Sequence, residues 1–341
     1  MALSKTKKTI IQFILLLSLG ALLVWLVTRQ VADKKQEIFD AFSNANYFWV
    51  IISALISLGS HALRAYRWNS LLTPIGYHAK WYNAFGAVFI GYFANYGIPR
   101  SGELSRCTVV AKYDKIPFEK ALGTVITERI VDFFILLLVF ILTLLFQFTE
   151  LKGLVSKYIL TTSLRTKLHT LYDKPFWLII SISFGIAVFI GFWMLRKKIK
   201  NKLTGKFGNI IKGFAGGLTS IKAVKNKLLF LINSVGIWAM YLLSMYACFF
   251  AFKETSTLGL SEGLVLILFG TFGVIFTPGG LGAYHAIITS VLIYYNIGDV
   301  CAFAYPWIVW TSQLLVIAFL GTLSLIILPI LNKNEFESKT I

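Results

Sequence analysis

The sequence predicts an all-α, polytopic helical membrane protein with six to eight transmembrane spans, and three observations carry that prediction. Hydrophobic residues make up 57% of the chain and charged residues only 14%, against about 25% charged in soluble domains. Mean hydropathy is +0.73. The apolar residues are also gathered into runs of membrane-crossing length, separated by polar connectors. At 38.3 kDa a bundle of such runs leaves no room for a separate soluble domain, so residues 1–341 are expected to form one integral-membrane unit. The net charge of +18 is then read as cytoplasmic loops facing anionic lipid, and nucleic acid is excluded as a partner.

Residues 10–27 form the first helix. Lys5, Lys7 and Lys8 precede it as in a signal peptide, but Thr28, Arg29 and Gln30 offer no cleavage site, so a retained anchor is expected. Residues 29–47 read as a polar connector. Helix two starts at the interfacial aromatics Tyr47, Phe48 and Trp49 and reaches about Trp68. A connector over 73–80 leads to an apolar run, 81–98, then to a basic loop, 100–120, and a long helix, 121–148. Residues 149–175 are polar, and 176–195 is again apolar. The stretch 196–227 holds ten Lys or Arg and no acid. Helix 228–252 follows. Two shorter runs, 260–277 and 283–296, are hinged on Pro278, Gly279, Gly280 and Gly282, with Leu281 between. A final helix over 301–328 ends at Pro329 and a polar tail.

Charge fixes the sidedness. The N-terminus and 196–227 should both be cytoplasmic, yet five apolar runs lie between them, so one must fail to cross. The run 81–98 is the best choice: Asn83, Gly86, Gly91, Asn95, Gly97 and Pro99 interrupt it, and it is barely of span length. A re-entrant 81–98 puts Arg100, Arg106, Lys112, Lys115 and Lys120 inside. Non-helical backbone at membrane depth needs shielding by protein or water, so a buried cavity is expected there. The hinged pair 260–277 and 283–296 has the same look, and matched interruptions in two halves point to a transport site. No internal repeat is obvious in the residues themselves.

Three clusters carry chemistry. His61, Arg64, Arg67 and Trp68 share one face of helix two, either as an interfacial anchor or as a cationic face turned onto a lipid phosphate. Asn95, Pro99, Arg100, Gly102, Glu103 and Arg106 follow the re-entrant run. There the broken helix frees backbone N–H groups, two guanidiniums add charge, and Glu103 is expected to hold one of them. Glu128, Arg129 and Asp132 lie inside an apolar helix, with Arg129 expected to pair with Asp132 so that its removal strands an acid. Arg64, Arg67, Arg100, Arg106 and Arg129 outnumber Glu103, Glu128 and Asp132 by two, which suggests an anionic headgroup as the missing partner. His285, beside the second hinge, is either a hydrogen-bonded structural residue or a titratable group.

Other chemistries find little support. There is no Walker motif, no HExxH and no metal-spaced His/Cys cluster, so no cofactor and no metal is expected. Cys107, Cys248 and Cys301 form no spaced pair, which argues against a disulfide framework. Asp33, Glu37 and Asp40 could form an acidic site outside helix one, but Lys34 and Lys35 between them favour a solvated connector.

The residues Arg64-Ala-Tyr-Arg-Trp68, the run from Asn95 through Pro99, Arg100, Gly102 and Glu103 to Arg106, the trio Glu128, Arg129 and Asp132, and the hinge from Pro278 to Gly282 together resemble the transmembrane-region family of lysylphosphatidylglycerol synthases. This is the flippase-like part of the multiple peptide resistance factor. The resemblance covers residues 10–330 and implies translocation of a phospholipid or polyprenyl-phosphate-type lipid by paired re-entrant segments. The full synthases add a soluble aminoacyltransferase domain, so synthase activity is not expected of this sequence. Relatives often carry an acid a few residues after the second hinge, where this chain has His285.

The resulting expectation is a lipid translocase of a prokaryotic cytoplasmic membrane, not an enzyme, with both termini cytoplasmic. Arg64, Arg67, Arg100 and Arg106 would meet the phosphate, oriented by Glu103, Glu128 and Asp132. Its partners would be membrane lipids with an anionic headgroup, with a separate lipid-modifying enzyme as a further candidate. The alternatives are a membrane-embedded glycosyl- or headgroup-transferase using Asp33 or Glu37, and an ion-coupled transporter using Glu128 and Asp132.

Overall fold

The computed structural model describes residues 18–29, 31–98, 101–158 and 219–333, with side chains to residue 154 in the third segment. Pro99, Arg100, the apolar run 176–195 and all of 196–218 lie outside the described residues. Among the described residues the fold is entirely helical: α1 (Ser18–Arg29), α2 (Lys35–Ser43), α3 (Tyr47–Leu72), α4 (Trp81–Gly97), α5 (Gly102–Tyr113), α6 (Phe118–Tyr158), α7 (Lys227–Phe249), α8 (Leu260–Phe276), α9 (Ala283–Tyr294) and α10 (Asp299–Leu331). Four of them, α3, α6, α7 and α10, are long and apolar enough to cross a bilayer. Outward-facing Phe48, Ile51, Phe146, Phe319 and Ile330 are all more than half exposed, as a surface solvated by hydrocarbon requires.

Four boundaries differ from those read in the sequence. The connector 29–47 contains α2. The basic loop 100–120 contains α5, whose buried residues Gly102, Arg106, Cys107, Val110 and Tyr113 fall on one helical face; the lysines that suggested a loop lie off that face or beyond its end. Helix α6 continues past residue 148 through a local break at Gln147, φ −133° and ψ 31°, where the Gln147 amide donates to Glu262 Oε1 at 2.8 Å. Helix α10 passes through Pro306, where the carbonyl that the proline frees belongs to the fully buried Ala302, and through Pro329 near its C-terminal end.

The architecture is a duplication. Helices α3, α4, α5 and α6 run long, 17, 12, long; α7, α8, α9 and α10 repeat that order with the same 17 and 12 residues. Each 12-residue helix ends in a tight turn whose second residue has positive φ, Lys115 at 57° and Asn296 at 62°. Each half also has its own core. Ala65, Trp68, Ala87, Val88, Cys107, Val110 and Val125 form one, while the other is built mainly from residues of α7 to α10, including Phe249, Leu266, Ile288 and Tyr305.

The halves are sewn together along α3 and α7, where Ser53 and Ser244 hydroxyls meet at 2.9 Å and Gly59 accepts Met240. A second seam joins α4 to α10. Asn83 and Asn332 exchange amide hydrogen bonds there, and a Cβ at Gly321 would press on Phe93. The sequence hides the repeat because the halves share helix lengths and a hinge proline, Pro99 and Pro278, rather than side chains.

Candidate functional site

Each short-helix pair folds back as a hairpin, and the two hairpins meet at their tips. In the first, Asn95 Oδ1 accepts the Gly102 N–H at 2.7 Å and clips α5 to the end of α4. A Cβ at Gly102 would overlap the Gly91 carbonyl and the Asn95 amide, so only glycine allows the close approach. In the second, Gly279, Gly280 and Gly282 take φ of 60°, 80° and 80°, a left-handed turn closed to bulky side chains. The Tyr96 ring packs on Gly279, whose carbonyl accepts from Trp310 Nε1 at 2.7 Å. The breaks foreseen at both hinges therefore come together in space.

Behind the first hairpin, α3, α5 and α6 gather the charged residues. Asp132 is gripped from one side of α3: Arg64 Nη1 donates to Oδ2 at 2.9 Å and Arg67 Nη1 to Oδ1 at 2.8 Å. Arg64 Nη2 also donates to the Tyr241 hydroxyl of α7 at 3.1 Å. Glu128, one turn earlier on α6, lies 2.8 Å from Arg106 Nη1 and 3.5 Å from Arg67 Nε. The Arg106 guanidinium also stacks 3.9 Å from the centre of the Trp68 ring, and Trp68 Nε1 is anchored on Thr124 at 2.9 Å. Arg67 and Glu128 are wholly buried, and Arg64, Arg106 and Asp132 nearly so. Charges this deep need partners, and these side chains supply one another.

The sequence reading named the charged residues that cluster here but paired them differently. Arg129 was expected to hold Asp132; it stands 3.7 Å away and is 42% exposed, while Arg64 and Arg67 hold that acid. Glu103 was expected to hold Arg100 or Arg106; Arg106 goes to Glu128 instead, Arg100 lies outside the described residues, and the Glu103 carboxylate lies 3.5 Å from Arg129. Spacing along one helix suggested the local pair, whereas the α3–α6 crossing brings in stronger donors. His285 sits apart, fully buried at the second hinge, 4.0 Å from the Trp307 ring. Neither of its nitrogens has a hydrogen-bond partner in the structure, contrary to the hydrogen-bonded structural role considered for it. Tyr241 was not singled out from sequence. An isolated Tyr in an apolar run carries no signal until Arg64 is seen against it.

Between the hairpin and the charge cluster lies a pocket of about 10 Å³, room for one water-sized sphere. Tyr92, Asn95, Gly102, Glu103, Arg106 and Arg129 line it. Four guanidiniums (Arg64, Arg67, Arg106, Arg129) face three carboxylates (Glu103, Glu128, Asp132), which leaves one positive charge among the described residues. Arg106 Nε and Nη2, Arg67 Nε and Nη2 and Arg64 Nε are buried without a hydrogen-bond acceptor. Both Glu128 carboxylate oxygens are buried without a hydrogen-bond donor, although Arg106 Nη1 lies 2.8 Å from one of them.

Residues 10–321 match the family model described as the lysylphosphatidylglycerol synthase TM region. A UPF0104 membrane protein of Methanothermobacter thermautotrophicus is 25% identical over 281 residues, covering 77% of this chain and 80% of that protein. A second UPF0104 membrane protein, from Methanocaldococcus jannaschii, is 29% identical over 130 residues, 37% of each chain. No solved structure matches the chain. With a multi-pass helical fold and a family match over most of its length, the chain belongs to the lysylphosphatidylglycerol synthase transmembrane-region family.

Proposed function

We propose that this protein translocates a phosphate-bearing membrane lipid, and that the headgroup enters between Arg106 and Arg129. The observation that carries the reading is the excess of four guanidiniums over three carboxylates around a polar pocket at a broken-helix hairpin. Guanidinium forks suit phosphate because they offer paired N–H groups in its own plane. Arg64 and Arg67 act as positioning residues, committed to Asp132 and withdrawn from the pocket. The pocket is too small for a phosphate while Glu103 lies against Arg129. That pair is partly exposed, so parting it costs about 0–1 kcal/mol, and an incoming phosphate offers Arg129 a better acceptor. Glu103 thus serves as the resident anion that the lipid displaces.

The family match and the many apolar helices support a lipid-related membrane role. We assign the chain to translocation rather than catalysis, in a prokaryotic cytoplasmic membrane with both termini inside. Membrane lipids are its proposed partners, and a separate enzyme that modifies them remains a candidate. The test is a lipid-flipping assay in proteoliposomes at matched protein levels. Arg106→Lys should flip more slowly than the unaltered protein, because charge survives and the fork does not. Arg106→Gln should be slower still. Equal rates for the three proteins would remove the phosphate contact from the account.

A further inference from the structure

Arg64, Tyr241 and Tyr92 form a hydrogen-bonded chain that ends one acceptor short. Arg64 Nη2 donates to the Tyr241 hydroxyl of α7 at 3.1 Å, and that hydroxyl is also hydrogen-bonded to the Tyr92 hydroxyl of α4. A guanidinium only donates, so the Tyr241 oxygen must accept from Arg64. Between the two phenols one must donate to the other, and whichever does, one O–H is left over. Among the described residues neither hydroxyl has a further hydrogen-bond partner. The His61 ring stands 4.9 Å from the Tyr92 ring, yet its Nδ1 is buried without a partner and does not take the hydrogen.

Position decides where the spare hydrogen goes. Tyr92 lines the pocket at the first hairpin, and Tyr241 does not. If Arg64 donates to Tyr241 and Tyr241 to Tyr92, the dipoles run head to tail and each strengthens the next. That order leaves the Tyr92 O–H free at the pocket wall. The guanidiniums of Arg64 and Arg129 both act electrostatically on this hydroxyl, so an anion is the acceptor that suits the place. We propose that Tyr92 is a specificity-determining residue, whose O–H donates to an ionised oxygen of the headgroup while Tyr241 serves as the positioning residue that orients it. The inference rests on the phosphate reading above and names what that site selects: an ionised oxygen over a headgroup hydroxyl, which accepts more weakly and brings a hydrogen of its own. Because Tyr241 belongs to α7, a ligand bound in the first half is steadied through a side chain of the second.

The test is calorimetric titration of the full-length protein in detergent with a short-chain phosphatidic acid and with the diacylglycerol that carries a hydroxyl in place of the phosphate. The readout is the ratio of the two affinities. Tyr92→Phe keeps the ring and should lower that ratio about tenfold, as expected for one hydrogen bond to a charged acceptor. Diacylglycerol affinity and melting temperature should stay unchanged, which a merely structural role of Tyr92 does not allow. Adding Tyr241→Phe to Tyr92→Phe should lower the ratio no further, since Tyr241 acts through Tyr92. If Tyr92→Phe is not monodisperse, Tyr92→Leu takes its place. An unchanged ratio in Tyr92→Phe beside a collapsed ratio in Arg106→Gln would overturn the role of Tyr92 and leave the phosphate reading standing. No preference in the unaltered protein, or a preference untouched by either variant, would overturn both. A further fall in the double variant would overturn the positioning role of Tyr241.

Discussion

The two halves of this molecule share a backbone plan and differ in chemistry. Counted from the first residue of each helix, Asp132 of α6 corresponds to Gln313 of α10, Arg129 to Trp310 and Glu128 to Val309. Arg106 of α5 corresponds to Ile287 of α9, and Glu103 to Tyr284. Every charge of the cluster has a neutral counterpart. By the same count Arg64 and Arg67 of α3, which grip Asp132, correspond to Ser244 and Ala247 of α7, while Gln313 accepts a hydrogen bond from Ser57 across the halves. The comparison teaches that the fold does not need the charges. A hairpin of this shape packs with apolar and aromatic side chains in the second half, so packing alone does not call for the ionised cluster in the first. Buried ion pairs rarely stabilise more than apolar residues of similar size, which strengthens that conclusion.

The largest effect that separates the halves is on stability. Asp132→Ala strands two buried guanidiniums and should cost about 3–5 kcal/mol, seen as a lower melting temperature in detergent and reduced abundance. Gln313→Ala removes one neutral hydrogen bond at the matching position and should cost about 1 kcal/mol. Similar losses in both variants would break the comparison. A smaller effect sharpens it within the cluster: Arg129→Gln breaks two long, partly exposed contacts and should change stability by about 0–1 kcal/mol, while slowing lipid flipping. A loss as large as that of Asp132→Ala would mean that Arg129 holds the cluster together instead of facing the lipid.

Much of this was legible in the sequence, for reasons visible in individual residues. Arg64, Arg67, Glu128 and Asp132 stand out because an ionised group inside an apolar run must be answered by another helix, and each of them is. Pro99 and Pro278 with their glycines announce the two breaks. Which cation answers which acid was not legible, because helix spacing sees only partners on the same helix, such as Arg129 and Asp132, and is blind to the α3–α6 crossing. The helix within the basic stretch 100–120 was missed since its buried face includes Arg106 and Cys107 among lysines. The duplication escaped notice because substitution of charges by Trp310, Val309 and Gln313 erased the similarity that a repeat leaves in sequence.

The central claim is that the first half meets a phosphate and the second does not. Calorimetric titration of a short-chain phosphatidic acid, alongside the diacylglycerol that lacks only the phosphate, isolates that contact because the chains cancel. The unaltered protein and Gln313→Ala should both bind the phosphatidic acid more tightly than the diacylglycerol, and Arg106→Gln should bind the two alike. An undiminished preference for the phosphate in Arg106→Gln would contradict the account.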